Sequence, residues 1–236
     1  MCRTFALAIA LGTLALGEEP AWVPLSGDVG LSAFRPPTAA WFDAGGAALD
    51  PKNPRKLVGT EGRGTLVNGP TGLTTNIVTK ESFGDVEFRG EFLVPNGSNA
   101  GVKLMGLYEV QILDSYGKTR ATASDCGGIY PRAELLPKYH HIDEGYPPKL
   151  NACRPPGEWQ SLEITFRAPR FDEAGKKVAD AEFVKVVLNG QVVHEGRKVP
   201  CPTGHAYRQK EVARGPILLQ ADHGPVAFRG LKVRAL

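Results

Sequence analysis

Short segments in which apolar and polar residues alternate recur along most of this chain, and they constrain its fold more than any other feature. In residues 86–94, for example, Val86, Phe88 and Phe92 fall on one face of an extended chain and Glu87 and Arg89 on the other. Turn-forming residues follow such segments, and the chain holds 28 Gly and 19 Pro. Helical periodicity is nearly absent. The pattern therefore predicts an all-β fold, a sandwich of two antiparallel sheets.

The same alternation predicts strands at residues 162–166, 183–188, 217–220 and 226–233. Asn189-Gly190 is typical of a tight hairpin turn, here leading into Val192-Val193. Two stretches lack periodicity. Residues 34–64 predict no regular element, whereas residues 115–156 are too long for a plain connection and predict a functional loop.

The N-terminus indicates a secretory signal peptide. Arg3 precedes an almost uninterrupted apolar run, residues 4–16, and small residues allow cleavage after Gly17. We therefore expect a signal peptide at 1–17, which takes Cys2 with it, and a single secreted or periplasmic domain at 18–236; an uncleaved anchor helix is the alternative. No later segment reaches the ~20 apolar residues of a membrane span. The net charge of +3 falls to +2 without Arg3, and no basic run indicates nucleic acid as a partner.

Three cysteines follow the predicted signal peptide: Cys126, Cys153 and Cys201. In an oxidising compartment one pair can bridge, and Cys126 and Cys153 are the predicted disulfide because both flank one long loop excursion. A metal site is the rival interpretation, although no Cys-x-x-Cys spacing supports it.

Residues 108–115, with the sequence YEVQILDS, carry the clearest chemical signal. Alternation sends Tyr108 and Val110 into the core and Glu109 and Gln111 to the opposite face, but it would bury Asp114. A β-bulge at residues 112–113 would return Asp114 to the polar face. The spacing then resembles the Glu-x-Asp-x-x-Glu strand of laminarinase-type glucanases, with Gln in the middle position. A solvated strand face is the plain alternative.

Other motifs follow in order along the chain, and together with YEVQILDS they resemble the 3-keto-disaccharide hydrolase family over roughly residues 41–236. The matching segments read NAGV at 99–102, GGIY at 127–130, PPGEWQ at 155–160, FRAPRFD at 166–172, LNG at 188–190, GPILLQ at 215–220, HG at 223–224 and VAFRG at 226–230. The resemblance implies a concanavalin A-like, jelly-roll sandwich and a carbohydrate partner, an oxidised disaccharide or glucoside.

The resemblance also implies a substrate whose C3 hydroxyl is already a ketone, which acidifies the C2 hydrogen. A base can then form an enolate that expels the C1 oxygen, and water adds afterwards. We expect Glu109 to be the base and Asp114 or His223 the acid. The residues expected to hold substrate are Gln111, Tyr130, Gln220, Lys103, Arg170 and Arg229.

Several alternatives stay open at these positions. His223 is also suited to a structural role or to binding a divalent metal, the one cofactor that we consider. Arg170 and Arg229 are as well explained by surface ion pairs. A non-catalytic carbohydrate-binding module and an ordinary glucanase-type glycosidase are the rival functions, since a fold does not dictate a function; Gln111 argues against ordinary hydrolysis.

Two departures from the family pattern bear on specificity. Family members carry an Arg just before the Tyr-Glu pair, where this chain has Leu107, which predicts a different sugar. Residues 135–149, which include His140-His141, are also unlike the family form and are expected to reshape the cleft. A metal bound by the two histidines is disfavoured because adjacent side chains diverge on an extended chain.

Overall fold

The computed structural model describes residues 20–38, 40–69 and 72–236. The predicted signal peptide, residues 1–17, and Cys2 within it lie outside these described residues. No helix within the described ranges is long and apolar enough to cross a membrane.

Regular structure in the described residues consists of sixteen strands and two short 3-10 helices. The strands are β1 Val23–Pro24, β2 Phe42–Asp50, β3 Asn53–Val67, β4 Ile77–Val78, β5 Val86–Leu93, β6 Asn99–Leu104, β7 Tyr108–Leu113, β8 Ala133–Glu134, β9 His140–His141, β10 Gln160–Arg167, β11 Arg170–Phe171, β12 Lys177–Ala179, β13 Ala181–Leu188, β14 Gln191–Val199, β15 Leu218–Gln220 and β16 Ala227–Ala235. The helices are Gly27–Ala33 and His205–Arg208.

Two antiparallel sheets form the body of the fold and confirm the predicted sandwich. The larger sheet has eight strands in the order β14-β13-β10-β5-β16-β3-β2, with β1 paired to the far half of β16. The smaller sheet has four strands in the order β4-β15-β6-β7. Two small hairpins, β11–β12 and β8–β9, lie outside these sheets.

The core fills the space between the sheets because each contributes its apolar face. Phe88 of β5 and Phe166 of β10 come from the larger sheet, and Val102 and Val110 come from the smaller one; all four are at most 1% exposed. Each such side chain stabilises the fold by roughly 1.5–3 kcal/mol on burial. The consequence for function is that the opposite, polar face of the smaller sheet is free to form a site.

The hairpin turn is confirmed at Asn189-Gly190, which joins β13 to β14. Both residues have positive φ, 52° and 79°, as the tight turn requires. The expectation for residues 34–64 was wrong, because β2 and most of β3 lie there as a long antiparallel pair. Its Gly- and Ala-rich strands are largely exposed on both faces, so they show no alternation of apolar and polar residues.

Candidate active site

A pocket of about 330 Å³ opens on the polar face of the smaller sheet. Residues from β6, β7 and β15 form its floor, and loops supply its walls. The lining residues are Asn76, Asn99, Lys103, Glu109, Gln111, Tyr130, Tyr139, Gly204, His205, Gln220, Asp222 and His223. Its volume lies within the range of small-molecule sites, which starts at ~300 Å³.

Strand β7 reaches this floor without the predicted bulge. It pairs with β6 in continuous register from Leu104↔Tyr108 to Asn99↔Leu113. Leu113 therefore takes the position on the polar face that Asp114 was expected to hold, and Asp114 falls beyond the end of the strand. The Asp114 carboxylate accepts a hydrogen bond from the backbone N–H of Gly97, at 2.9 Å. The bulge prediction was wrong because a half-buried leucine is tolerated there, and Asp114 closes a turn outside the pocket lining.

Glu109 and Lys103 form a buried ion pair on the floor. Their side chains are 3% and 11% exposed, and Lys103 Nζ lies 3.0 Å from Glu109 Oε2. The pair exists because the two residues face each other across β6 and β7. Gly101, the neighbour of both, leaves room for the carboxylate, since a Cβ there would lie 2.5 Å from Glu109 Oε1. This explains why glycine occupies the third position of the NAGV segment.

The GGIY segment runs along the outer edge of β7 and delivers Tyr130 to the pocket. Gln111 N donates to Gly128 O at 2.8 Å, and Tyr130 N donates to Glu109 O at 3.2 Å. Gly128 is required at this close approach, because a Cβ would lie 2.3 Å from the carbonyl oxygen of Ala123. The edge of the sheet is thereby covered, and a phenol is fixed beside the Glu109 carboxylate.

Tyr130 belongs to a small hydrogen-bonded cluster in the wall. Its hydroxyl lies 2.8 Å from the hydroxyl of Tyr139 and 3.2 Å from Nε2 of His141. Burial, followed by the hydrogen bond to Tyr139, raises the pKa of Tyr130 above its usual value. The phenol therefore stays protonated near neutral pH and can donate a hydrogen bond to a ligand.

Three amide side chains in the pocket carry a buried oxygen with no hydrogen-bond partner among the described residues: Asn99 Oδ1, Gln111 Oε1 and Gln220 Oε1. The orientation of Gln111 is fixed, because its Nε2 donates to the carbonyl oxygen of Ser124 at 3.3 Å. Each buried acceptor that is left unpaired lowers the stability of the fold by roughly 1–3 kcal/mol. A ligand with several hydroxyl donors would remove that cost.

His223 stands at the rim with its ring held by Asp222. Nδ1 lies 2.6 Å from Asp222 Oδ1, and this carboxylate assigns a proton to Nδ1. Nε2 is therefore the ring atom that is left to exchange a proton with a ligand. This arrangement gives the pocket a second acid–base group beside Glu109.

Arg170 and Arg229, both expected to hold substrate, lie outside the pocket lining. Arg170 Nη1 donates to Asp85 Oδ1 at 2.8 Å. Arg229 Nε donates to Glu91 Oε2 at 2.7 Å on the outer face of the larger sheet, and its guanidinium lies 4.1 Å from the ring centre of Trp159. Both arginines therefore form ion pairs, which was the alternative to substrate binding at these positions.

The predicted disulfide is not formed, since Cys126 and Cys153 are buried free thiols. The interaction between the two thiols raises the pKa of Cys126 and lowers that of Cys153. Within the described part of the chain, no three His, Cys, Asp or Glu side chains converge as a metal-binding group. His140 Nδ1 lies 2.9 Å from the carbonyl oxygen of Lys138, and His141 contacts Tyr130.

Sequence reasoning located six of the lining residues: Lys103, Glu109, Gln111, Tyr130, Gln220 and His223. It did not single out Asn76 and His205, which come from distant parts of the chain and have no local signal. Tyr139 was also not named, although it lies in residues 135–149, the segment expected to reshape the cleft. Asn99 and Asp222 had such a signal, since Asn99 opens the NAGV segment and Asp222 precedes the histidine of the HG pair.

Comparison with known proteins places these motifs in a family. Two proteins of Parabacteroides distasonis ATCC 8503, solved as candidate glycosyl hydrolases, share the fold. The first is 26% identical with a TM-score of 0.60, over 84% of this chain and 79% of the other. The second is 21% identical with a TM-score of 0.59, over 92% of this chain and 100% of the other. No match was found among curated proteins.

The model of one family, the 3-keto-alpha-glucoside-1,2-lyase-like domain, matches residues 21–234. That range contains both sheets, the buried Glu109–Lys103 pair and every residue of the pocket lining. The resemblance drawn from the motifs is thus confirmed, and the chain belongs to the 3-keto-alpha-glucoside-1,2-lyase-like domain family.

Proposed function

We propose that this protein is a glycosidase that cleaves 3-keto-glycosides, including 3-keto-disaccharides, by elimination across C1 and C2 followed by addition of water. The observation that carries the proposal is the buried Glu109–Lys103 pair, 3.0 Å apart, on a floor otherwise built from neutral amides. Removal of a proton from the carbon next to a ketone needs a base to accept the proton and a cation or donor to stabilise the enolate oxygen.

The neutral part of the floor supports a carbohydrate ligand. Asn99, Gln111 and Gln220 each present an amide oxygen without a partner, so hydroxyl groups of a sugar would pair with groups that are now unsatisfied. Gln220 and Gln111 lie in the row of residues next to the Lys103–Glu109 pair, and Asn99 lies one row further along the sheet. The acceptors therefore extend from Glu109 in one direction, across three strands, which suits a ring that carries a hydroxyl on most carbons. The family description and the relatives solved as candidate glycosyl hydrolases agree with such a ligand.

Glu109 is the proposed base. It removes the hydrogen from C2, and the electrons of the C2–H bond move to the C3 carbonyl to give an enolate oxygen. Lys103 would stabilise the negative charge of that oxygen, because its ammonium group is already held beside Glu109 and its side chain is 11% exposed. The attraction between the two opposite charges is stronger in such a buried site than in water, since screening is weak.

Expulsion of the C1 oxygen completes the elimination. The enolate electrons form the C1–C2 double bond while the C3 ketone is restored, and the leaving oxygen takes a proton. His223 is the proposed acid: Asp222 orients its ring, and the doubly protonated ring delivers the Nε2 proton to the leaving oxygen. Water then adds at C1 and gives one proton to the now neutral His223. A proton returns to C2, which gives the free 3-keto sugar.

Ordinary retaining hydrolysis is less well supported by this pocket. It needs two carboxyl groups about 5–5.5 Å apart, one of them free to act as nucleophile. Glu109 has no second free carboxyl group to work with: Gln111, two residues further along the same face of the strand, is neutral, and Asp222 is bonded to His223.

One side-by-side assay tests the proposal against its rivals. The protein is incubated with a 3-keto-glucoside and with the same glucoside unoxidised, and the released sugar is measured. We expect release from the oxidised compound alone. Release from the unoxidised compound would indicate an ordinary glycosidase, and binding of either compound without release would indicate a carbohydrate-binding module.

The site of action is part of the same proposal. The charged and apolar pattern of residues 1–17 supports export, so we propose that the substrate is met outside the cytoplasm. Fractionation of expressing cells, followed by N-terminal sequencing of the protein, tests this; a mature chain that still begins at Met1 would contradict it.

A further inference from the structure

The wall formed by residues 133–139 carries exposed apolar side chains, whereas the floor of the pocket is polar. Tyr139 lines the pocket and is 47% exposed, and Leu135 and Leu136 next to it are 56% and 77% exposed. Isolated exposed apolar residues are ordinary in proteins, but three in five positions at the rim of a pocket call for a ligand or a partner.

A second recess of about 200 Å³ adjoins the pocket at this wall. His205 lines both cavities, so the recess is the immediate neighbour of the site where cleavage is proposed. Leu135, Leu136 and the ring of Tyr207 supply apolar surface to the recess. A group attached to the bound sugar and directed past His205 would meet this surface next.

The recess is held in place by the surrounding structure. Ala133 N donates to Gly204 O at 3.1 Å, which ties the β8–β9 hairpin to the segment carrying His205. Arg208 Nη2 lies 2.6 Å from the Glu134 carboxylate, which also accepts a hydrogen bond from the Tyr207 hydroxyl. The charges of the recess therefore neutralise each other, and the two leucines are presented on a fixed hairpin.

We propose that this recess is the leaving-group subsite and that it selects glycosides with an apolar, ring-containing aglycone over those in which the aglycone is a second sugar. The inference rests on the proposed function, which places the sugar ring on the amide floor. A second sugar would need hydrogen-bonding groups that are free, whereas Glu134, Tyr207 and Arg208 of the recess are bonded to one another. The recess offers leucine side chains and a phenol ring instead.

Two substrates with leaving alcohols of similar acidity test the subsite: benzyl 3-keto-glucoside and methyl 3-keto-glucoside. We expect Leu136→Ser to lower kcat/KM for the benzyl compound about tenfold, by loss of apolar contact, and to leave the methyl compound unchanged. Val178→Ser is the matched control, because Val178 is also exposed, at 62%, and lies on β12 outside the recess and the pocket. Equal losses on both substrates, or no loss, would overturn the subsite.

A binding measurement separates this inference from the proposed reaction. Calorimetry with the unoxidised benzyl and methyl glucosides requires no cleavage. Tighter binding of the benzyl compound to the wild type, lost in Leu136→Ser but kept in Val178→Ser, supports the subsite even if no 3-keto-glycoside is cleaved. Equal binding of the two compounds, or binding of neither, overturns it even if cleavage occurs.

Discussion

Both sheets have a polar face, but the polar groups are paired on one and partly unpaired on the other. On the outer face of the larger sheet, Glu87 pairs with both Arg89 and Arg234, and Glu91 pairs with Arg229. Trp22 covers part of this face, with cations against its ring. On the smaller sheet, one ion pair is buried and three amide oxygens around it have no partner in the described residues.

This difference indicates that the smaller sheet carries groups that lower stability and serve a function. On the larger sheet, Glu87 and Glu91 each have a partner of opposite charge. Such surface ion pairs change the free energy of unfolding little, by about 0–1 kcal/mol each. Buried acceptors without partners lower stability, and they persist where a ligand completes them. The smaller sheet therefore holds the candidate active site, and four substitutions test the contrast.

The largest effect is expected for Glu109→Gln. The amide cannot accept the C2 proton, so we expect kcat on a 3-keto-glucoside to fall about 10³-fold, within the usual range for loss of a general base. Glu91→Gln is the matched control: it removes an ion-paired carboxylate from the other polar face and should leave the rate unchanged. Circular dichroism checks that both variants fold. Full activity of Glu109→Gln would remove Glu109 from the proposed reaction.

Lys103→Met should reduce both activity and stability. Loss of the cation beside the enolate oxygen is expected to lower kcat about 10²-fold. It also leaves the buried Glu109 carboxylate unpaired, which should lower the free energy of unfolding in urea by about 3 kcal/mol. Arg229→Met, on the outer face, should cost at most about 1 kcal/mol. Equal losses in the two variants would contradict the contrast between the faces.

Gln220→Met is expected to change stability and binding in opposite directions. The substitution removes a buried oxygen without a partner, so the free energy of unfolding should rise by about 1 kcal/mol. The same change removes a proposed acceptor for a sugar hydroxyl, and affinity for the 3-keto-glucoside should fall about tenfold. Urea unfolding and calorimetry measure the two. A less stable variant with unchanged affinity would show that Gln220 is structural.

The smallest effect concerns the dependence of stability on pH. A hydrogen bond from Arg170 is the largest influence on the Asp85 carboxyl, and its pKa lies below the ordinary 3.8. Because the pKa is lower in the folded state, the stabilisation is present above the unfolded value and is lost as the pH falls through the folded value, below pH ~4. Asp85→Asn should flatten this acid limb of the stability curve, measured by urea unfolding from pH ~6 to ~2, and leave activity unchanged. An unaltered limb would contradict this account of Asp85.

The sequence predicts the features that neighbouring residues determine, and it does not predict those that depend on contacts between distant parts of the chain. Alternation along residues 108–112 fixed which side chains enter the core, because a half-buried strand has a period of two. It could not exclude a bulge, because the strand ends before Asp114, where the carboxylate accepts a hydrogen bond from Gly97 N, and no local pattern shows that contact. Asn76, Tyr139 and His205 reach the pocket through loop paths that no local pattern determines.

The chemistry at C2 offers the most direct test of the proposed reaction. The protein is incubated with a 3-keto-glucoside in D₂O, and the released sugar is examined by mass spectrometry and NMR, with a sample lacking protein to measure spontaneous exchange. Elimination and hydration predict one carbon-bound deuterium, located at C2. Release of a sugar that keeps its original hydrogen at C2, together with an unchanged rate when the substrate carries deuterium at C2, would contradict the account and indicate direct displacement at C1.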